Sequence, residues 1–173
     1  MPDIIIQIIG FVAYAILAIS YFCKKKSQIL IWNIVASLIL ALHFFLLEGL
    51  SGALCNLIGA AAMAAIYFYE KRGGKNKKLL IGLMFPVGIA IAFLSWQGIL
   101  SLVPIAASMV LISGFIFKKP QQVRITGVIG GLLWLIYSIF VGSIAGVACE
   151  IVVTTATAIA LFVNQERPHK LSR

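Results

Sequence analysis

Seven continuously apolar runs of 18 to 21 residues, at positions 4–22, 29–47, 50–69, 79–96, 99–117, 123–141 and 143–163, leave this chain one solvent, the lipid bilayer. A helix rising 1.5 Å per residue needs roughly 20 apolar residues to cross about 30 Å of hydrocarbon, and each run meets that length. Only 11% of the 173 residues are charged against 62% apolar, with a mean hydropathy of +1.08, so too little charge remains to clothe a soluble domain. The runs do not alternate in segments of about ten residues, as a transmembrane barrel would require. The fold class that follows is all-α, a membrane protein of seven transmembrane helices whose short connections make neighbours antiparallel.

The first run is not a cleaved leader on this reading, because its only early charge is Asp3 and its basic cluster follows the apolar stretch. Threading seven crossings through the chain puts all 14 Lys and Arg on one side. Lys24, Lys25 and Lys26 follow the first helix; Lys71, Arg72, Lys75, Lys77 and Lys78 follow the third; Lys118, Lys119 and Arg124 lie between the fifth and sixth; Arg167, Lys170 and Arg173 end the chain. The opposite side holds only Asp3 and Glu48. Basic residues stay in the cytoplasm, so the N-terminus is expected outside and the C-terminus inside a bacterial cytoplasmic (inner) membrane. The formal net charge of +9 is then explained by topology and by attraction to anionic headgroups, and no nucleic-acid partner is expected.

Cys23, Cys55 and Cys149 are odd in number and sit in or at the ends of apolar runs, which suits packing rather than a disulfide framework or a metal. No phosphate-cradling loop, His/Cys cluster or carboxylate pair is present in the sequence. Neither a catalytic residue, a metal site nor a cofactor is expected.

An internal repeat organises the chain. An offset of 94 residues sets Lys24 over Lys118, Lys25 over Lys119, Gln28 over Gln122, Gly52 over Gly146 and Cys55 over Cys149, in register with the helix ends. Helices 1 to 3 thus match helices 5 to 7, and helix 4, which carries Pro86, is left as a connector. One extra crossing between two three-helix copies restores their orientation, so the repeats are parallel and related by an axis along the membrane normal. The organisation expected is a first three-helix repeat over 1–72, a basic loop and connector helix over 73–98, a second repeat over 99–166 and a tail over 167–173.

Matching positions face one another across such an axis, and the polar pairs mark what the centre is for. Asn56 pairs with Glu150, His43 with Tyr137, Ser37 with Gly131, Asn33 with Gly127, and Gly10 with Pro104. Glu150 is the only acid inside a predicted span, about 10 Å from the outer end of its helix, and ionisable groups at such depth face a bundle interior or water. With Asn56 it can bind a polar or cationic solute or take up a proton; the structural alternative is an acid that locks helices together. His43 and Tyr137 lie near the outer helix ends, where histidine can titrate and tyrosine can anchor at the interface; an interfacial or structural role is expected for the pair, with a cavity role for His43 as the alternative. Pro104 breaks a helix hydrogen bond and Gly10 matches it, which suits hinges or static packing. Gly127, Gly130 and Gly131, like Gly52, Gly59, Ala60 and Ala64, allow close helix approach.

His43-Phe44-Phe45-Leu46-Leu47 with Gly52, Ala53 and Asn56, and Gly142-Ser143-Ile144 with Gly146 and Glu150, resemble the YgjV family of bacterial inner membrane proteins over nearly the whole chain. That family is distantly similar to PQ-loop and SWEET-type proteins, which implies a membrane carrier fold with a SWEET-like 3-1-3 plan. Where the family can place a basic residue one turn after the Asn and a His opposite His43, this chain has Gly59 and Tyr137, so the resemblance carries over only to His43, Asn56 and Glu150. Pro120-Gln121 is expected in a cytoplasmic turn, its likeness to a PQ motif coincidental. The function expected is a carrier of a small polar solute, alternating between two three-helix bundles, with membrane lipids around it and a homo-oligomer compatible with the plan. A non-transporting scaffold or partner of another membrane protein is the alternative.

Overall fold

The computed structural model of the protein describes residues 4–23, 25–74, 82–114 and 120–163, and all regular structure among them is helical. Seven α-helices follow in order: α1 (Ile4–Phe22), α2 (Lys26–Leu46), α3 (Leu50–Lys71), α4 (Met84–Leu94), α5 (Leu102–Gly114), α6 (Pro120–Phe140) and α7 (Ile144–Val163). Four stretches, Ser27–Leu46, Leu50–Lys71, Gln121–Phe140 and Ile144–Val163, are long and apolar enough to cross a membrane, while α1, α4 and α5 contribute shorter apolar helices. Lys24, Lys75, Lys77, Lys78, Lys118, Lys119, Arg167, Lys170, Arg173 and both termini lie outside the described residues.

Several boundaries differ from expectation for local reasons. The connector helix expected over 79–96 is described only from Met84 and ends at Leu94, before Gly98 turns the chain with φ 107°. The fifth helix begins as a 3-10 turn, Ile99–Ser101, in which the Ser101 hydroxyl donates to the Gly98 carbonyl at 2.6 Å and accepts from the Gln97 N–H at 3.3 Å. Pro120 and Gln121, expected in a turn, instead open α6: proline suits the first helical position, whose N–H would have no partner in any case. The Gln121 side chain then ties α6 to α7 by donating to the Leu161 carbonyl at 2.7 Å.

The turns α2–α3 and α6–α7 are built alike. Gly49 N–H bonds the Phe44 carbonyl at 2.8 Å and Ser143 N–H bonds the Ser138 carbonyl at 2.9 Å, each closing the end of a helix through one left-handed residue. In α6–α7 that residue is Gly142 at φ 71°, which suffers no Cβ clash. In α2–α3 it is Glu48 at φ 60°, a conformation that costs a residue with a Cβ about 1 kcal/mol.

Neighbouring helices pack in a closed circuit. α1 lies against α2, α2 against α3, α5 against α6 and α6 against α7, and the circuit closes where α3 meets α5 and α7 meets α1. α4 stands outside, across the seam between α3 and α5. Small residues set the spacing: a Cβ on Gly131 of α6 would collide with the Thr154 hydroxyl of α7, and one on Gly130 with the Leu111 side chain of α5. Polarity runs inside out relative to a soluble protein. Phe45, Phe93, Val152 and Phe162 are more than half exposed, whereas His43, Ser51, Ser138 and Ser143 are fully buried. Such a surface suits hydrocarbon, and the interior is where polar groups find partners.

Candidate functional site

A cavity of about 460 Å³ occupies the middle of the ring, and all six ring helices, but not α4, contribute to its wall. It extends to Gly114, Val123 and Thr126, at the ends of α5 and α6 that border the basic segment 115–119. Towards the opposite end, that of the 47–49 and 141–143 turns, the lining stops at Phe44 and Trp134.

The positions paired by the 94-residue offset meet in this wall. Asn56 and Glu150 both line it, as do Asn33 with Gly127 and Ser37 with Gly131. Glu150 does not bond Asn56: the amide Nδ2 of Asn56 donates to the Gly52 carbonyl at 2.9 Å, while Glu150 Oε1 accepts from the Tyr14 hydroxyl at 3.3 Å. Among the described residues no cationic side chain lines the cavity, so the Glu150 carboxyl has a hydroxyl partner and no counter-charge.

Tyr14 was not among the residues singled out from the sequence. The signal was present: its 94-residue partner is Ser108, which also lines the cavity. A tyrosine within an apolar run reads as an interfacial anchor until the ring turns that face of α1 inward. Gln7, missed likewise, pairs with the polar Ser101.

His43 and Tyr137 stand beyond the cavity rather than in its wall, inside the seal at the turn end. Tyr137 is 3% exposed, so it is no interfacial anchor, and an aromatic layer separates this cluster from the cavity. Phe44 lies 5.6 Å from both Trp134 and Tyr137, ring centre to ring centre, and Trp134 meets Tyr137 edge-on at 5.9 Å. His43 Nδ1 is 2.8 Å from the Ile6 carbonyl, which can only accept, so Nδ1 carries the hydrogen. In neutral imidazole Nε2 is then an acceptor, and it takes the Ser143 hydroxyl hydrogen at 2.7 Å. Ser143 in turn accepts the Gly146 N–H at 2.9 Å, the bond of a helix N-cap.

The other half reaches the same end by a different residue. Gly49 holds the N-cap position of α3 and is the repeat partner of Ser143, but has no side chain to cap with. The Tyr137 hydroxyl supplies the missing acceptor from α6, taking the Gly52 N–H at 3.0 Å and the Ser51 hydroxyl at 3.2 Å. A Cβ on Gly49 would lie 2.7 Å from that hydroxyl, so the glycine and the tyrosine require each other. Gln7 of α1 completes the seal: its Nε2 donates to the Gly142 carbonyl at 3.0 Å and its Oε1 accepts from the Ala145 N–H at 3.3 Å. Replacing Tyr137 with Phe is expected to cost about 1–2 kcal/mol, because the buried Gly52 N–H loses its acceptor while the ring packing survives. Unfolding midpoints of the purified variant and parent check this, and equal midpoints would contradict it.

Gly10 and Pro104, expected as hinges, take different places. A Cβ on Gly10 would lie 2.7 Å from His43 Cε1 and 2.8 Å from the Ala145 Cβ, so the glycine lets α1 close on the histidine ring. Pro104 is the third residue of α5 and fully buried. It sits in the first turn, where an α-helix leaves its N–H groups unpaired, rather than at a mid-helix break. The three cysteines are free thiols, and Cys55 is buried.

A ring of apolar helices with an apolar exterior, a central cavity whose largely apolar wall carries Asn33, Asn56 and Glu150, and one sealed end defines a polytopic α-helical membrane protein. The chain belongs to the Imp-YgjV family of bacterial inner membrane proteins, whose family model matches residues 4–167. Comparison with curated proteins and with solved structures yields no match.

Proposed function

We propose that the protein is an inner-membrane carrier of a small polar solute, in which α1–α3 and α5–α7 act as two parallel three-helix units around the central cavity. The observation that carries this reading is the cavity itself, walled by repeat-related residues of both units, reaching the basic end and closed at the other. With the basic end in the cytoplasm and the N-terminus outside, the conformation described is inward-facing. The outer seal joins the two units to each other: Gln7 and His43 reach α7, and Tyr137 reaches α3. Opening that end requires these bonds to part together, which gives the two-state element that alternating access demands. α4 then serves as a connector, in a 3-1-3 plan like that of SWEET-type carriers.

Single cysteines at Asn33, Ser37, Asn56 and Glu150 in a Cys-free background test the reading. A water-soluble thiol reagent added from the cytoplasmic side is expected to label all four, and reagent from the outside none unless solute shifts the conformation. A disulfide engineered across Gln7 and Ala145 is expected to hold the outer end shut and abolish exchange across proteoliposomes. Protection of all four positions from both sides would leave Asn56 and Glu150 as structural groups and turn the reading to a scaffold.

A further inference from the structure

The hydrogen-bond inventory of the cavity wall is unbalanced. Asn33 Nδ2 donates to the Ile29 carbonyl at 2.8 Å, as Asn56 Nδ2 does to Gly52, so each amide is oriented with its oxygen free. The hydroxyls follow the same rule: Ser108 donates to the Pro104 carbonyl, Thr126 to Val123 and Thr157 to Val153, each at 2.8 Å. Tyr14 spends its hydrogen on Glu150. Every one of these groups lines the cavity, has given a hydrogen to the protein and keeps an acceptor oxygen. Against them stand few unspent donors, chiefly the Ser37 hydroxyl, the Trp134 indole N–H and the second hydrogen of each amide.

The charge of the wall has the same sign as its lone pairs. Glu150 is the one ionisable group of low intrinsic pKa in it, and among the described residues no Lys, Arg or His lines the cavity. A carboxylate set in so apolar a wall is costly without a partner, and the protein supplies only the Tyr14 hydroxyl. An anion would be repelled there. A polyol would find acceptors for its hydroxyl hydrogens and too few donors for its oxygens. An ammonium group presents hydrogens and positive charge and no acceptor, which is the complement of this wall. Leu17, Leu40, Phe44 and Trp134 offer the remainder of the solute an apolar and aromatic lining, on which a cation also gains from ring faces.

We propose that the cavity binds a protonated amine, an organic cation whose N–H groups meet the Glu150 carboxylate and the outward-turned oxygens of Asn33 and Asn56. This names the solute class of the carrier reading and rests on it. Glu150 is the counter-ion, and the aromatic layer of Phe44 and Trp134 ends the cavity beneath the outer seal.

The test is equilibrium binding to the full-length protein in detergent, using primary ammonium ions from methylammonium to phenethylammonium, each beside the alcohol and carboxylate of the same skeleton. At least one ammonium ion is expected to bind tenfold or more tightly than its alcohol, with no binding of the carboxylate. Glu150→Gln is expected to remove that preference, and Glu150→Asp to keep part of it. Alcohols or carboxylates binding as well as the amines, no amine binding at all, or an unchanged preference in Glu150→Gln would each overturn the proposal. Should Glu150→Gln not fold, the preference in the unaltered protein decides. Cysteine labelling separates the two readings: a cavity that labels from the basic side without amine binding refutes the amine and leaves the carrier, whereas a protected cavity refutes both.

Discussion

Alanine at Gly52 is expected to destabilise the protein by about 3 kcal/mol, the sum of an overpacked site and a strained buried hydrogen bond. The reason is the Tyr137 ring. A Cβ at position 52 would run into Cε1 and lie 2.9 Å from the phenolic oxygen, and that ring also packs against Phe44 and Trp134. A stiff aromatic in a filled site cannot retreat as a flexible chain end can, so α3 must move and the Gly52 N–H must leave its acceptor. Gly59, one turn beyond Asn56 on the same helix, is the control: nothing lies within 4 Å of a Cβ there. Gly59→Ala is expected to be neutral, or to stabilise by up to about 1 kcal/mol through helix propensity. Unfolding of the two variants in one detergent measures the difference; similar midpoints would refute the packing assigned to Tyr137.

The second large effect is expected at His43. Its ring is fully buried, edge-on to Phe44 at 5.3 Å between centroids, and satisfies both the Ile6 carbonyl and the Ser143 hydroxyl. His43→Ala leaves a void, removes the second hydrogen bond of the helical Ile6 carbonyl and leaves the buried Ser143 hydroxyl hydrogen without its acceptor, for an expected loss of about 3 kcal/mol. Because Ser143 caps α7, the start of that helix should loosen as well, and a cysteine in the seal, at Ser51, should become reactive towards a water-soluble thiol reagent. A variant of parental stability with an unreactive Ser51→Cys would show that the histidine is not what closes this end. Compared with Tyr137→Phe, which removes one hydroxyl and keeps the ring, the larger loss at His43 separates packing from capping.

The two halves of the seal show how a repeat can diverge while its task persists. Each third helix begins with an N–H that needs an acceptor. In the second half the N-cap position holds Ser143, and His43 of the opposite half bonds that serine. In the first half the position holds Gly49, and Tyr137, the repeat partner of His43, reaches the N–H itself. The serine hydroxyl of one half and the tyrosine hydroxyl of the other do the same capping, and the Tyr137 hydroxyl leaves no room for a Cβ at position 49. The coupling explains why a chain with Tyr at 137 carries Gly at 49.

The element order was legible because lipid makes a simple demand: a span must be apolar for about 20 residues, and its ends are marked by charge or turns. The same economy exposed Glu150 and Asn56, since a polar group in an apolar run stands out, and the 94-residue offset brought the two together before any contact was known. Both residues line the central cavity. The readings that shifted were those that depend on which way a side chain faces. Tyr137 and His43 lie beside the turns that join α6 to α7 and α2 to α3, and their side chains bond across the sealed end rather than lining the cavity. Tyr14 and Gln7 look like ordinary members of a first helix, and become partners of α7 only because α1 closes the ring.

What the sequence by itself determined, then, is the apolar, membrane-spanning character of the chain and the succession of its helices, because these follow from local hydropathy along one chain. What the tertiary structure alone decided is which end of the cavity is shut and which lone pairs face its interior. Those depend on contacts such as His43 with Ser143 and Tyr14 with Glu150, between residues a hundred or more positions apart, where the rotation of each helix about its axis chooses the partner.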